Sequence, residues 1–159
     1  MMSFRKLSRN EAGSTMAEFA VVAAVFFMIL IGVIEFARLF YTHNALTDAA
    51  RRGARYAVLH AQADRDCVKN VVVYGETHVN KNTCAPTGPA LINGLVPDNV
   101  TVTHVGDGTN AFNMNVGSVT VTIDYSFTIR LPLWSRTINL PKYTTTLTAE
   151  SAGTKPADI

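Results

Sequence analysis

Four residues able to ligate a metal or move a proton crowd into the stretch HAQADRDC: His60, Asp64, Asp66 and Cys67. Hard carboxylates and a soft thiol at irregular spacing do not suit one ion, and the segment reads as a polar helix end. His43 has no second ligand at helical spacing and reads as a packed or rim histidine. The chain contains no glycine-rich phosphate loop, no H-E-x-x-H, no nucleophile elbow and no pair of carboxylates framed by structural signals. These absences point away from an enzyme, and no cofactor or metal is expected. Asn99-Val100-Thr101 matches a glycosylation acceptor, a pattern short enough to arise by chance. Cys67 and Cys84 bracket a polar stretch. With export, a disulfide closing that loop would contribute about 3 kcal/mol; in a reducing compartment they remain two thiols.

The carboxylate that stands out is Glu18, at the threshold of the uncharged run Phe19 to Ile34. Two readings are open. Thr15-Met16-Ala17-Glu18 is a capping box, T-x-x-E, in which Glu18 would satisfy backbone N–H groups at a helix start. Alternatively, a carboxylate beside apolar surroundings calls for a cationic partner, and cleavage after Gly13 would supply the α-amino group of Ser14.

The elements that position these groups follow from the apolar pattern. At about 1.5 Å per residue, Phe19 to Ile34 spans roughly 24 Å, and adding Met16, Ala17, Phe36 and Ala37 brings it to the thickness of a hydrocarbon core. The run exceeds the apolar part of a secretory signal and lacks an A-x-A cleavage site, and a soluble core helix would have to hide nearly every face of it. A membrane anchor fits better. Arg5, Lys6 and Arg9 then favour a cytoplasmic N-terminus, although Arg38, Arg51, Arg52 and Arg55 on the other flank weaken the asymmetry.

Beyond Ile34 the pattern becomes one-sided. Phe36, Leu39, Phe40, His43, Leu46, Ala50, Ala54, Ala57 and Val58 recur at three- and four-residue steps, opposite Arg38, Asn44, Asp48, Arg51, Arg52 and Arg55. One helix from about Thr15 to Leu59 is expected, membrane-embedded over 16–37 and amphipathic over 38–59. The segment 64–117 holds most of the turn signals and reads as irregular, with a short strand in NVTVTHV. Val119, Val121, Ile123, Tyr125, Phe127 and Ile129 alternate with polar residues as one long strand, the prolines of RLPLWSRTINLP break it, and Lys142 to Glu150 returns as another. Trp134 beside Pro132 reads as a packing plug. The expected fold is α+β, with a small antiparallel sheet in 60–159 packed on the outer half of the helix.

A net charge of +2 in 159 residues, with arginines gathered in Arg38 to Arg55, excludes an evident nucleic-acid binder. The arginines read as a solvated face or as subunit contacts together with Glu35. Ala17, Ala20, Ala24 and Gly32 would permit close helix approach, or are simply tolerated by lipid.

G-x-x-x-x-E-F from Gly13 to Phe19, E-F-x-R-L from Glu35 to Leu39, and A-x-R-x-G-A-R-Y-A ending at Ala57 carry a resemblance. Over Gly13 to Ala57 the chain resembles the TadE-like proteins of the tight adherence (Tad/Flp) type IV pilus system. The resemblance implies a type IV pilin-like fold and a leader, residues 1–13, removed by a prepilin peptidase after Gly13. It implies that Ser14, Glu18 and Phe19 belong to the processing and registration segment, and that 14–59 is the helix of a minor pilin or pseudopilin. Its implied partners are the peptidase, membrane lipid before assembly, other pilins and the inner-membrane platform. Its implied place is the inner membrane, N-terminus inside and β-rich part outside, with incorporation in the pilus an open branch. The rival reading is a membrane-tethered extracytoplasmic binding domain that never enters a filament.

Overall fold

The computed structural model describes residues 11–60, 64–80, 82–105, 117–131 and 134–148. Helix α1 (Glu11–Leu59) is continuous. No proline interrupts it, and at about 1.5 Å per residue it is roughly 73 Å long. The helix expected from Thr15 is present and begins further upstream, while its C-terminal bound at Leu59 agrees.

A second helix, α2 (Arg65–Tyr74), follows where irregular chain was expected. Cys67, Val68, Val71 and Val72 stand at helical spacing and are buried, so packing overrides the weak helix propensity of a valine-rich segment. Two short 3₁₀ turns, Glu76–His78 and Pro97–Asn99, lead towards the strands.

Five strands are present among the described residues: β1 (Val100–Val105), β2 (Ser118–Ile123), β3 (Ser126–Leu131), β4 (Trp134–Asn139) and β5 (Tyr143–Thr148). They form two antiparallel sheets, β1-β2-β5 and the hairpin β3-β4. The single long strand expected from Ser118 is divided at Asp124 and Tyr125. Asp124 N donates to Asn99 O at 2.9 Å, the last bond towards β1, and the Tyr125 hydroxyl donates to Asn93 O. Tyr125 therefore leaves the inward row of β2, and Phe127 begins a row in the other sheet. Between the prolines lies β4, a strand the breaks had obscured.

In the three-stranded sheet, Val102 faces Val121, Ile123 faces both Val100 and Tyr143, and Val119 faces Leu147. These form the inner face. On the outer face threonines pair across strands, Thr120 with Thr146 at 2.8 Å and Thr122 with Thr144 at 3.2 Å between hydroxyl oxygens. The inner face packs on α1 from Leu46 onward, where Leu46, Ala49, Ala50, Ala54, Ala57 and Val58 are buried, and α2 closes the remaining side. The architecture is α+β, with a long N-terminal helix packed on a small antiparallel sheet.

Three packing expectations need correction. Phe36 and Phe40 were placed on the buried stripe and are 64% and 57% exposed, because the covered face at these turns runs through Glu35, Leu39 and Thr42, about a quarter-turn or more away. Arg38, assigned to the opposite, solvated face, points at the β3-β4 hairpin. Trp134 is 52% exposed and plugs nothing within the described chain.

Candidate assembly surface

Gly13, Ser14, Glu18 and Phe19 all lie on α1 and are exposed. Because the helix is already formed at Glu11, Thr15 is an interior helical residue rather than an N-cap, and the T-x-x-E pair does not form a capping box here. Residues 1–10 of the expected leader lie outside the described residues.

Downstream, Met16, Phe19, Val22, Val25, Phe26, Ile29, Val33 and Ile34 are among many large apolar side chains that stand exposed all around the helix. Helix Gly13–Leu59 is long and apolar enough to cross a membrane, and its apolar window is not covered by the rest of the chain. It fits a single-pass anchor. Ala17, Ala20 and Ala24 are exposed, and a Cβ on Gly13 or Gly32 would meet open space. Nothing in the chain's own packing therefore requires small residues there. Gly53 is the contrast, because a Cβ on it would collide with the Val72 side chain of α2.

The exposed apolar surface continues past the uncharged run. Phe36 and Phe40 lie against each other at a tilt, ring centroids 5.9 Å apart, and Tyr41 beside them is exposed. From Phe19 to Tyr41 is roughly 34 Å of helix, longer than a hydrocarbon core of about 30 Å.

On another face of the same turns, α1 is fastened to the hairpin. Arg38 pairs with Glu35 at 2.9 Å, and its other terminal nitrogen donates to Thr128 O at 2.9 Å. Its guanidinium lies over the Phe127 ring, 4.7 Å from the centroid, and Arg130 N donates to Glu35 Oε2 at 3.4 Å. The side chain of Glu35 is only 13% exposed, so these donors compensate the lost hydration of its charge. Glu35 and Arg38 are thus engaged within the chain. Arg52 pairs with Asp48 at 3.1 Å, while Arg51 and Arg55 are exposed.

The other titratable groups serve the fold. His43 Nδ1 meets the Tyr143 hydroxyl at 2.8 Å, and burial pushes the Tyr143 pKa above its usual value. His60 Nδ1 donates to Tyr56 O at 2.8 Å, and the two rings stack. The Tyr56 pKa is raised by burial and then by the nearby charges of Asp64 and Glu76. Cys67 and Cys84 form a disulfide with Cα atoms 4.9 Å apart, and Asn70 Nδ2 donates to Cys84 O at 2.8 Å. No group of three His, Cys, Asp or Glu residues comes together among the described residues. His104, which the sequence did not single out, has both ring nitrogens enclosed and without a hydrogen-bond partner among the described residues. Burial, and then the Arg65 charge, push its pKa below the usual histidine value.

The geometry is that of a helix which is part core element and part uncovered apolar rod. Residues 13–55 match the family model described as TadE-like protein, which is consistent with a TadE-like protein of Tad pilus systems. The match ends within α1, before α2 and both sheets. No curated protein and no solved structure matches the chain.

Proposed function

We propose that the chain is a minor pilin or pseudopilin of a Tad/Flp-type pilus, cleaved after Gly13 by a prepilin peptidase and acting by helix packing. The supporting observation is the uncovered apolar surface of α1, which continues past a membrane-length span at Phe40 and Tyr41. Lipid can cover the part up to about Ala37. The aromatic residues beyond it call for a second cover, and a neighbouring helix of the same kind supplies one.

Before assembly the helix crosses the inner membrane with its N-terminus in the cytoplasm and the sheets outside, where the Cys67–Cys84 bond would be retained. Cleavage after Gly13 gives Ser14 a charged α-amino group near Glu18. That charge compensates the Glu18 carboxylate, or one on an adjacent subunit, when the helix enters an apolar bundle. Other pilins and the assembly platform are its partners in this reading. A tethered binding domain outside any filament has no use for the cleavage.

The chain recovered from membranes of a peptidase-positive cell should begin at Ser14 by intact-mass spectrometry. An intact Met1 or Met2 terminus would rule out the pilin reading. Glu18→Gln should be cleaved at the same site yet assemble poorly, since the amide keeps the shape and loses the charge.

A further inference from the structure

The β3-β4 hairpin carries the chain's single tryptophan and two arginines that the proposed packing does not use. Two contacts fix its direction: Arg38 reaches Thr128 O, and Arg130 N reaches Glu35 Oε2. Advancing along β3 therefore means moving back along α1 towards the apolar run. A strand rises about 3.3 Å per residue and a helix about 1.5 Å, which sets the next residue, Leu131, about two helical positions deeper than Glu35. Leu131 is paired with Trp134. Both thus stand level with the end of the apolar run. The exposure of α1 agrees, since Ile31, Gly32 and Glu35, on one face, are half-covered while Val33 and Ile34 are exposed.

Leu131 is half-buried and Trp134 exposed, although the inward row that starts at Phe127 ends with this pair. Ile129 pairs with Arg136, and Arg130 with Ser135, so the two arginines flank the hairpin on opposite faces, Arg130 one pair and Arg136 two pairs further from the apolar run. Both are exposed, and neither side chain has an ion-pair partner among the described residues. An amphipathic indole ring at the boundary, with guanidinium groups just above it, matches the depth order of a lipid interface: acyl carbonyls first, then phosphates. We infer that the end of this hairpin is a second membrane contact, in which Trp134 and Leu131 enter the interface beside α1 and Arg130 and Arg136 bind lipid phosphates. The inference rests on α1 being a membrane anchor. It adds a role for the hairpin: holding the domain upright on the membrane surface, with Arg38 and Glu35 as the joint.

Because the chain has one tryptophan, its fluorescence reports on this site alone. The full chain is reconstituted in vesicles of equal phosphatidylcholine and phosphatidylglycerol, with bromine placed either shallow or deep in the acyl chains, and iodide as an aqueous quencher. The expected result is strong quenching by shallow bromine, weaker quenching by deep bromine, and restricted access of iodide. Arg130→Gln with Arg136→Gln should lower the ratio of docked to undocked hairpin about fivefold per arginine, with the thermal transition unchanged. Protein that floats with the vesicles yet shows a tryptophan open to iodide and untouched by bromine overturns the hairpin contact and leaves the anchor standing. A tryptophan shielded from iodide without bromine quenching assigns the site to a second protein chain and overturns the lipid contact. Failure to float overturns the anchor and this inference with it.

Discussion

The two ends of α1 use the same small residues for opposite purposes. Ala49, Ala50, Gly53, Ala54 and Ala57 are buried, and they let the helix approach the sheet and α2 closely. Ala17, Ala20 and Ala24 stand exposed on the same helix, and a Cβ added at Gly32 would meet open space. One end is finished by its own domain, and the other is left for a solvent other than water. Small-residue content by itself does not distinguish the two; the presence of a covering layer does.

Substitutions that treat the two ends alike would break this contrast. Leu46 is fully buried, so Leu46→Ala should lower unfolding free energy in detergent by roughly 2–5 kcal/mol, whereas Ile29→Ala should stay within about 0.5 kcal/mol. Comparable losses in denaturant titrations of both variants would mean that the N-terminal end has an intramolecular partner. Replacing Cys67 and Cys84 together by serine should remove about 3 kcal/mol by the loop-closure estimate, measured the same way, without altering membrane insertion. At the joint between the ends, Arg38→Met leaves the Glu35 carboxylate with one weak donor. A loss of about 2 kcal/mol is expected, recovered in large part by Glu35→Gln in a double-mutant cycle.

Smaller again is the glycine comparison. Gly53→Ala gains about 1 kcal/mol of helix propensity but must displace Val72, for a net destabilisation of about 1 kcal/mol, while Gly32→Ala leaves unfolding unchanged or slightly improved. The smallest effect concerns His104. Its folded pKa lies below the ordinary histidine value of 6.5, so the unfolded chain takes up the proton first as pH falls. Stability should then be unaffected well above pH 6.5 and decline from there down through the folded pKa. His104→Phe should flatten that part of the pH profile.

Much of this division was legible in the sequence. The uncharged run and the one-sided repeat beyond it gave the helix and its change of character, clean alternation gave the strand from Ser118, and NVTVTHV and the threonine-rich run from Lys142 gave two more. Arginine and phenylalanine beyond Ile34 were harder to place. Three- and four-residue steps put Phe36 and Phe40 with Leu46, but the covered face at those turns runs through Glu35, Leu39 and Thr42, and a broad apolar stripe does not by itself say which part of it is covered. Arg38 looked like a solvated residue because its partners are backbone and an aromatic ring about ninety positions away, invisible to local pattern. For α2, the spacing of Cys67, Val68, Val71 and Val72 was the available signal, masked by nearby turn residues and by valine's preference for strands. The capping box failed for another reason: the helix extends upstream of Thr15, so the motif falls inside it.

The central claim is that the aromatic surface just beyond the membrane is covered by a neighbouring subunit. A photoreactive benzoyl-phenylalanine placed at Phe40 or Tyr41 in cells that make the pilus tests it directly, with Phe127, which is buried in the chain's own fold, as the reference position. Adducts of a discrete mass to this chain or another pilin at Phe40 and Tyr41, and none at Phe127, are predicted. Lipid adducts alone, or no adducts, at the two helix positions would contradict it.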